Sequence, residues 1–211
     1  MTINSYQPGA SGIDVRINVS DESYHGSDTT LTLNTNQRIL IRFDISDIPA
    51  IATCTSATMS LYSYLTSAMT GDTWTAYSVL SANSSWDESA TWNTIDGSTS
   101  WSGSSGCSTS GTDYNGTAIG SCVMNETWLT NNQFTLTPSV VKTWFGISNT
   151  NYGMVLFTDA PSNTGFVYSS DETTYTSYRP KLVVDYTLLS VSHRRTFQAL
   201  GTRIGSRGAI S

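Results

Sequence analysis

Apolar and polar residues alternate with a period of two along much of the chain. In RILIRFDIS (38–46), Ile39, Ile41, Phe43 and Ile45 fall on one side, with Leu40, Arg42 and Asp44 on the other. In SATMSLYSYL (56–65), Ala57, Met59, Leu61 and Leu65 share a face opposite Tyr62 and Tyr64. In PKLVVDY (180–186), Leu182, Val184 and Tyr186 alternate with Lys181, Val183 and Asp185. This period puts one face of a strand in a core. Weaker alternation predicts strands over 12–18, 29–34, 73–80, 133–137, 152–158 and 165–169. About nine or ten short strands with polar turns between them predict an all-β fold, a β-sandwich of jelly-roll type.

One short helix interrupts the strands. TPSVVKTWFG (137–146) reads as Thr137 at the N-cap, Pro138 at the first helical position and Gly146 past the end. Val140, Val141 and Trp144 form a small apolar stripe suited to closing one end of a sandwich. Two segments lack any period. Residues 94–121 are mostly Ser, Gly and Thr, a loop long enough to be functional or disordered. Residues 189–211 follow the last clear strand and are too poor in apolar residues to fold alone. The expected organisation is a sandwich domain over 1–188 and a basic C-terminal extension over 189–211 that orders on a partner.

Composition strengthens the β reading. Among 211 residues, 33 are Ser, 32 are Thr and only two, Lys142 and Lys181, are Lys. Such a mixture favours pleated, half-solvated surfaces over helices. Charge is unevenly spread. All 16 acids lie in residues 1–188, whereas 189–211 carries four Arg and no acid. An acidic body excludes nucleic acid as a partner of its surface, because phosphate binding needs clustered cations. Neither an apolar leader nor a membrane-length apolar run is visible, so no membrane partner is expected.

Three cysteines cannot all pair within the chain. Cys107 and Cys122 flank a Gly/Ser/Thr-rich stretch and have two readings. They form a disulfide, worth roughly 3 kcal/mol of loop closure, or they are two reduced thiols. Cys54 opens an apolar strand and is expected to be a small buried hydrophobe.

The stretch SWDESATWN (85–93) raises the question of chemistry, because two tryptophans bracket two acids. Asp87 and Glu88 are neighbours, and neighbours on a strand point to opposite faces. Glycosidase carboxyls must instead converge across the scissile bond. The two histidines, His25 and His193, lack the spacing of a triad or metal site. No catalytic residue and no cofactor are therefore expected. Trp86, Glu88, Trp92 and Asn93 read best as a structural motif. Glu88 would accept backbone amides at a corner or pair with Arg38, Arg42 or Arg179. Tyr62, Tyr64, Trp101 and Tyr114 are candidates for a platform that stacks on sugar rings, against the plainer reading of half-exposed surface aromatics. Asp21, Glu22 and Asp28 are a weak calcium candidate, since no loop has EF-hand spacing.

Taken in order, several of these stretches resemble the DNRLRE-type domain, which is also classed among carbohydrate-binding modules. They are RILIRFDISDIPAIATCTSATMSLYSY, WDESATWN, Trp101 with Asp113-Tyr114, TPSVVKTWFGISNTNYGMVL and YSSDETTYTSYRPKLVVDYT. The similarity spans about residues 12–188 and departs at Asp171, where Glu is usual. The resemblance implies a single jelly-roll sandwich without conserved chemistry, appended to secreted enzymes, surface proteins or phage structural proteins. Some such domains are thought to bind acidic or neutral polysaccharides.

Three functions follow as expectations. The first is a non-catalytic virion surface protein, a capsid decoration or a head or neck fibre, exposed as an acidic sandwich. Its tail would dock on a capsid or other virion protein through Arg194, Arg195, Phe197, Arg203 and Arg207, and host glycans would be a second partner. By analogy with fibres and decoration proteins, a homotrimer is expected. The second is a carbohydrate-binding module of a secreted polysaccharide-degrading enzyme. The third is an extracellular filament subunit whose tail adds a strand to a neighbour.

Overall fold

The computed structural model describes residues 1–8, 13–65, 70–125, 127–160 and 163–188. The expected docking residues Arg194, Arg195, Phe197, Arg203 and Arg207 lie outside them. Among the described residues there are eleven strands: β1 (Thr2–Tyr6), β2 (Ile13–Asn18), β3 (Thr30–Leu33), β4 (Gln37–Arg42), β5 (Thr53–Tyr62), β6 (Thr73–Val79), β7 (Tyr114–Val123), β8 (Asn131–Thr135), β9 (Met154–Thr158), β10 (Gly165–Tyr168) and β11 (Lys181–Thr187).

They pair antiparallel throughout. One sheet runs β1-β11-β5-β8, a second runs β2-β4-β9-β6-β7, and β3 and β10 form a two-stranded ribbon. Ser63, just past β5, bridges to Val167 of the ribbon. The two larger sheets face each other as an all-β sandwich. Ile39 and Ile41 of β4, Trp74 and Ala76 of β6, and Met154 and Leu156 of β9 meet Ala57, Met59, Leu61, Leu182 and Val184 in one core.

The alternate positions on the five-stranded sheet are also buried. Leu40, Val79 and Val155 point the other way, into a second core with Val15, Ile17, Trp86, Ala90, Ile95, Trp101 and Cys107. The segment between β6 and β7 forms the lid over this second face. It contains little regular structure, and its own hydroxyls and carboxylates close its turns. Asp87 Oδ1 accepts from the Ser89 amide, Thr91 Oγ1 from Asn93 and Thr94, and Asp96 Oδ1 from Ser98 and Thr99. Short polar side chains that bond two or three residues ahead are what such turns need.

Asp113 fastens the far half of the lid. It is fully buried. Oδ1 accepts from the Gly103 amide (2.8 Å) and Asn83 Nδ2 (2.9 Å), and Oδ2 from the Ser104 (3.0 Å) and Thr109 (2.8 Å) amides. Burial raises the pKa of this carboxyl, but the four donors together outweigh it and hold the pKa below the usual carboxylate range. Gly103 is required at this point, because a Cβ there would stand 2.7 Å from Asp113 Oδ2.

The long loop expected over 94–121 is thus ordered, and its last third is strand β7. A disulfide is not the cause. Cys107 and Cys122 are both free, which corrects the pairing reading. Cys107 is buried in the second core, while Cys122 is half-buried on β7 against the first. Packing on opposite faces of one sheet keeps the two thiols apart. Cys54 is buried, as its strand position predicts.

The helix covers Pro138–Val141 and tightens into a 3-10 turn over Lys142–Trp144. Thr137 precedes it, but its hydroxyl donates to the Ile119 carbonyl instead of capping. Val141, Trp144 and Phe145 join the first core and close one end of the sandwich.

Candidate functional site: an aromatic groove

Tyr62 ends β5 and Tyr64 lies two residues beyond it, both on the side that alternation sends away from the core. Around them the fold gathers aromatic rings from three other segments. Trp128 comes from the turn between β7 and β8, Tyr168 from the end of β10, and Tyr175 and Tyr178 from the loop before β11. Tyr64 meets Tyr168 edge-on at 5.3 Å, and Tyr168 stacks on Tyr178 at 6.0 Å. Tyr62 packs on Tyr178 at 5.2 Å, and Trp128 stands perpendicular to Tyr175 at 6.3 Å. Tyr64, Leu65, Trp128, Tyr168 and Tyr175 line an open groove of about 490 Å³. Tyr168 is fully buried and forms the floor. The walls stay in solvent, with Tyr64 39%, Tyr175 41% and Trp128 52% exposed.

Hydrogen bonds to the backbone fix these walls. The Trp128 turn is tied to the residue just past β5, where Leu129 N donates to the Ser63 carbonyl and Ser63 N to the Thr130 carbonyl. Asn132, buried beneath, accepts from the Asn125 amide and donates to Ser63 Oγ. Trp128 Nε1 donates to Tyr168 Oη at 3.3 Å, linking wall to floor. On the other side, buried Glu172 accepts from the Thr174 (2.6 Å) and Tyr175 (2.9 Å) amides. Arg179 Nε donates to the Glu172 carbonyl, and Gln7 Nε2 to the Ser177 and Arg179 carbonyls. The rings are therefore placed before any ligand arrives.

Of the four platform candidates, Tyr62 and Tyr64 belong to this face. Trp101 does not, being 5% exposed in the second core with Nε1 donating to the Thr91 carbonyl. Tyr114 is also elsewhere, its ring packed between Tyr77 (5.1 Å) and Phe157 (5.0 Å) at the edge of the second core. Trp101 sits in the lid and Tyr114 opens β7, both on the five-stranded sheet and away from β5. Trp128, Tyr168, Tyr175 and Tyr178 escaped sequence reasoning. The signal for the three tyrosines is the run YSSDETTYTSY (168–178), which has no period of its own, and Trp128 left none.

Trp86 and Trp92 do not share a strand face, because 85–93 is turns. Trp86 is fully buried, with Nε1 donating to the Tyr152 carbonyl at 2.6 Å and the Arg42 guanidinium over its ring. Trp92 is half-buried under Arg38, and a Cβ on Gly106 would come within 2.5 Å of its ring. Asn93 is exposed and donates to Glu22. Glu88 takes a hydrogen bond from the Asp14 amide, the backbone contact expected of it, and forms no ion pair with Arg38, Arg42 or Arg179, since two of these cations lie over aromatic rings and Arg179 bonds a carbonyl. The calcium candidate is also corrected. Asp21 and Asp28 are each 3.0 Å from a nitrogen of His25, Asp28 also pairs with Arg16, and Glu22 holds Asn93.

A larger cleft of about 730 Å³ is lined by Tyr6, Gln7, Arg42, Asp44, Asn149 and Asn151 among others. Its polar groups are engaged by the fold. Tyr6 donates to Asp47, Asn149 to Gly146, Asn151 to Phe43 and Arg42 to Ser84. The aromatic groove has rings facing outward instead, and it is the better ligand site. No protein-family model and no curated protein matches the chain, so the likeness to the DNRLRE-type domain rests on its motifs alone.

Proposed function

We propose that this protein is a non-catalytic glycan-binding β-sandwich that holds a polysaccharide chain in the aromatic groove. The observation that carries this reading is the set of three half-exposed rings, Tyr64, Trp128 and Tyr175, fixed around a buried tyrosine floor. Sugar rings present apolar C–H faces that lie against such surfaces, and hydroxyls at their edges bond to phenol oxygens and backbone groups. The carboxylate of Glu172 is engaged with two amides and serves to place Tyr175. The test is affinity electrophoresis through gels containing neutral and acidic polysaccharides. A retarded wild type is expected, with Trp128→Ala at least tenfold weaker, a loss of about 1.4 kcal/mol. Equal retardation of the two proteins on every polysaccharide that binds would reject the groove.

The charge split supports a second, compatible reading. Sixteen acids in the body against four arginines and no acid in the last 23 residues suit a surface protein held by its tail. On that reading the sandwich projects from a virion and adheres to host glycans. Mass spectrometry of gradient-purified particles, with a chain lacking 189–211 in parallel, tests it. Presence of the full chain and loss of the shortened one is the expected result.

A further inference from the structure

We infer that the aromatic groove selects neutral polysaccharides and turns away chains that carry carboxylate or sulfate groups. The inference rests on the glycan reading of the groove and names its ligand class. The groove is lined by Tyr64, Leu65, Trp128, Tyr168 and Tyr175, and none of these is charged. Their polar groups are phenols and an indole, which donate or accept without charge at neutral pH. The segments that supply them, 62–65, 126–130 and 168–178, contain Glu126, Asp171 and Glu172 but no Lys or Arg.

The six Lys and Arg of residues 1–188 are engaged elsewhere or stand outside this lining. Arg16 pairs with Asp28, while Arg38 and Arg42 lie over the rings of Trp92 and Trp86. Lys142 donates to the Ala50 carbonyl. Arg179 donates through Nε to the Glu172 carbonyl, and its charge acts on Asp171. Lys181 sits on β11 opposite Ser60 and does not line the groove.

An anionic sugar entering the groove must shed water without gaining a cation. A charge left in that condition costs far more than a hydroxyl does. The rings add to the cost, because an aromatic face carries the negative side of its quadrupole. Such a face suits the C–H groups of a pyranose and repels a carboxylate or sulfate. The body acts in the same sense at longer range, with 16 acids against six bases in residues 1–188. A neutral chain meets neither penalty. The two contributions differ in reach, so salt separates them: it screens the field of the body and leaves the desolvation inside the groove.

The test uses polysaccharide pairs that share a backbone and differ in charge. Suitable pairs are hydroxyethylcellulose with carboxymethylcellulose, dextran with dextran sulfate, and methyl-esterified pectin with its saponified form. Binding is titrated calorimetrically with the full chain and with Trp128→Ala, and the part lost in Trp128→Ala is assigned to the groove. Wild type is expected to bind the neutral member of at least one pair, and its charged member at least tenfold more weakly. Raising NaCl from about 0.1 M to about 1 M shortens the screening length from about 10 Å to about 3 Å, and the preference should persist. Leu65→Arg, which adds a cation to the lining, should reduce the preference severalfold. Groove binding of a charged member as tight as that of its neutral partner would overturn the inference and leave the groove a glycan site. A preference that vanishes at about 1 M NaCl would also overturn it, because the body would then be the selector. Binding to no polymer removes the glycan reading itself, and the inference with it.

Discussion

Replacing Asp113 by Ala removes the one acceptor that four donors of the lid share. Each hydrogen bond to a charged group contributes about 1.5–3 kcal/mol, and an orphaned buried donor loses about 1–3 kcal/mol. A simple sum overshoots here, because Ser104 is exposed and its amide regains water. Asn83, by contrast, is fully buried and has no second acceptor for its amide nitrogen among the described residues. The expected loss is therefore about 3–4 kcal/mol at pH 7, large for one substitution. Asp113→Asn should lose nearly as much. Its NH₂ would face the Ser104 and Thr109 amides, donor against donor.

The assay is urea unfolding followed by tryptophan fluorescence, because Trp101 belongs to the same lid and is buried in the second core. The pH dependence has a definite sign. The folded pKa of Asp113 is depressed, so its contribution is complete above the unfolded value of about 4. It is lost as pH falls through the lower folded value. The difference between wild type and Asp113→Ala should accordingly shrink on moving from pH 7 to pH 2. A loss below about 1 kcal/mol at pH 7 would refute the view that Asp113 organises the lid. So would a difference that grows as the solution is acidified.

Other outcomes follow from the same contacts. Trp86→Ala should destabilise by about 3–5 kcal/mol in urea unfolding, since it empties the second core and orphans the Tyr152 carbonyl. Glu172→Ala releases the Thr174 and Tyr175 amides of the loop before β11. It should weaken polysaccharide retardation severalfold while the far-UV spectrum stays unchanged. All three cysteines should alkylate in denaturant without a reductant, as mass spectrometry would show. In the native state Cys122 should react first, because Cys107 and Cys54 are buried. Burial raises all three thiols, so native labelling should be slow at neutral pH.

The strands that were legible are those with one face in the central core. Alternation in β4, β5 and β11 was visible because a buried face selects apolar residues at every second position. β7 was illegible for the opposite reason. It is an edge strand of ten residues, and only Ile119 among them is buried. Without a core face, Gly, Ser and Thr read as loop. β1 is also an edge strand, and its residues are mostly exposed. The lid left a trace that is easy to pass over. In RILIRF, Leu40 is apolar between Ile39 and Ile41, which a sheet with one wet face would not require. Its partner, SWDESATWN, has no period because side chains rather than a ladder close its turns.

The groove was half legible. Tyr62 and Tyr64 could be sent outward by counting from Leu61, but their companions arrive through loops. Tyr168 reaches the floor through the β3–β10 ribbon, and Trp128 is positioned by bonds to Ser63, two segments with no sequence proximity. The acids behave likewise. Asp14 reads as one polar position in IDVR, and Asp171 as one member of a turn. The burial of Asp14 to 1% exposure against the Ser170 amide is a tertiary fact that neither pattern carries. Periodicity reports which face of an element is buried. It carries no information about which polar atoms burial brings together from remote segments.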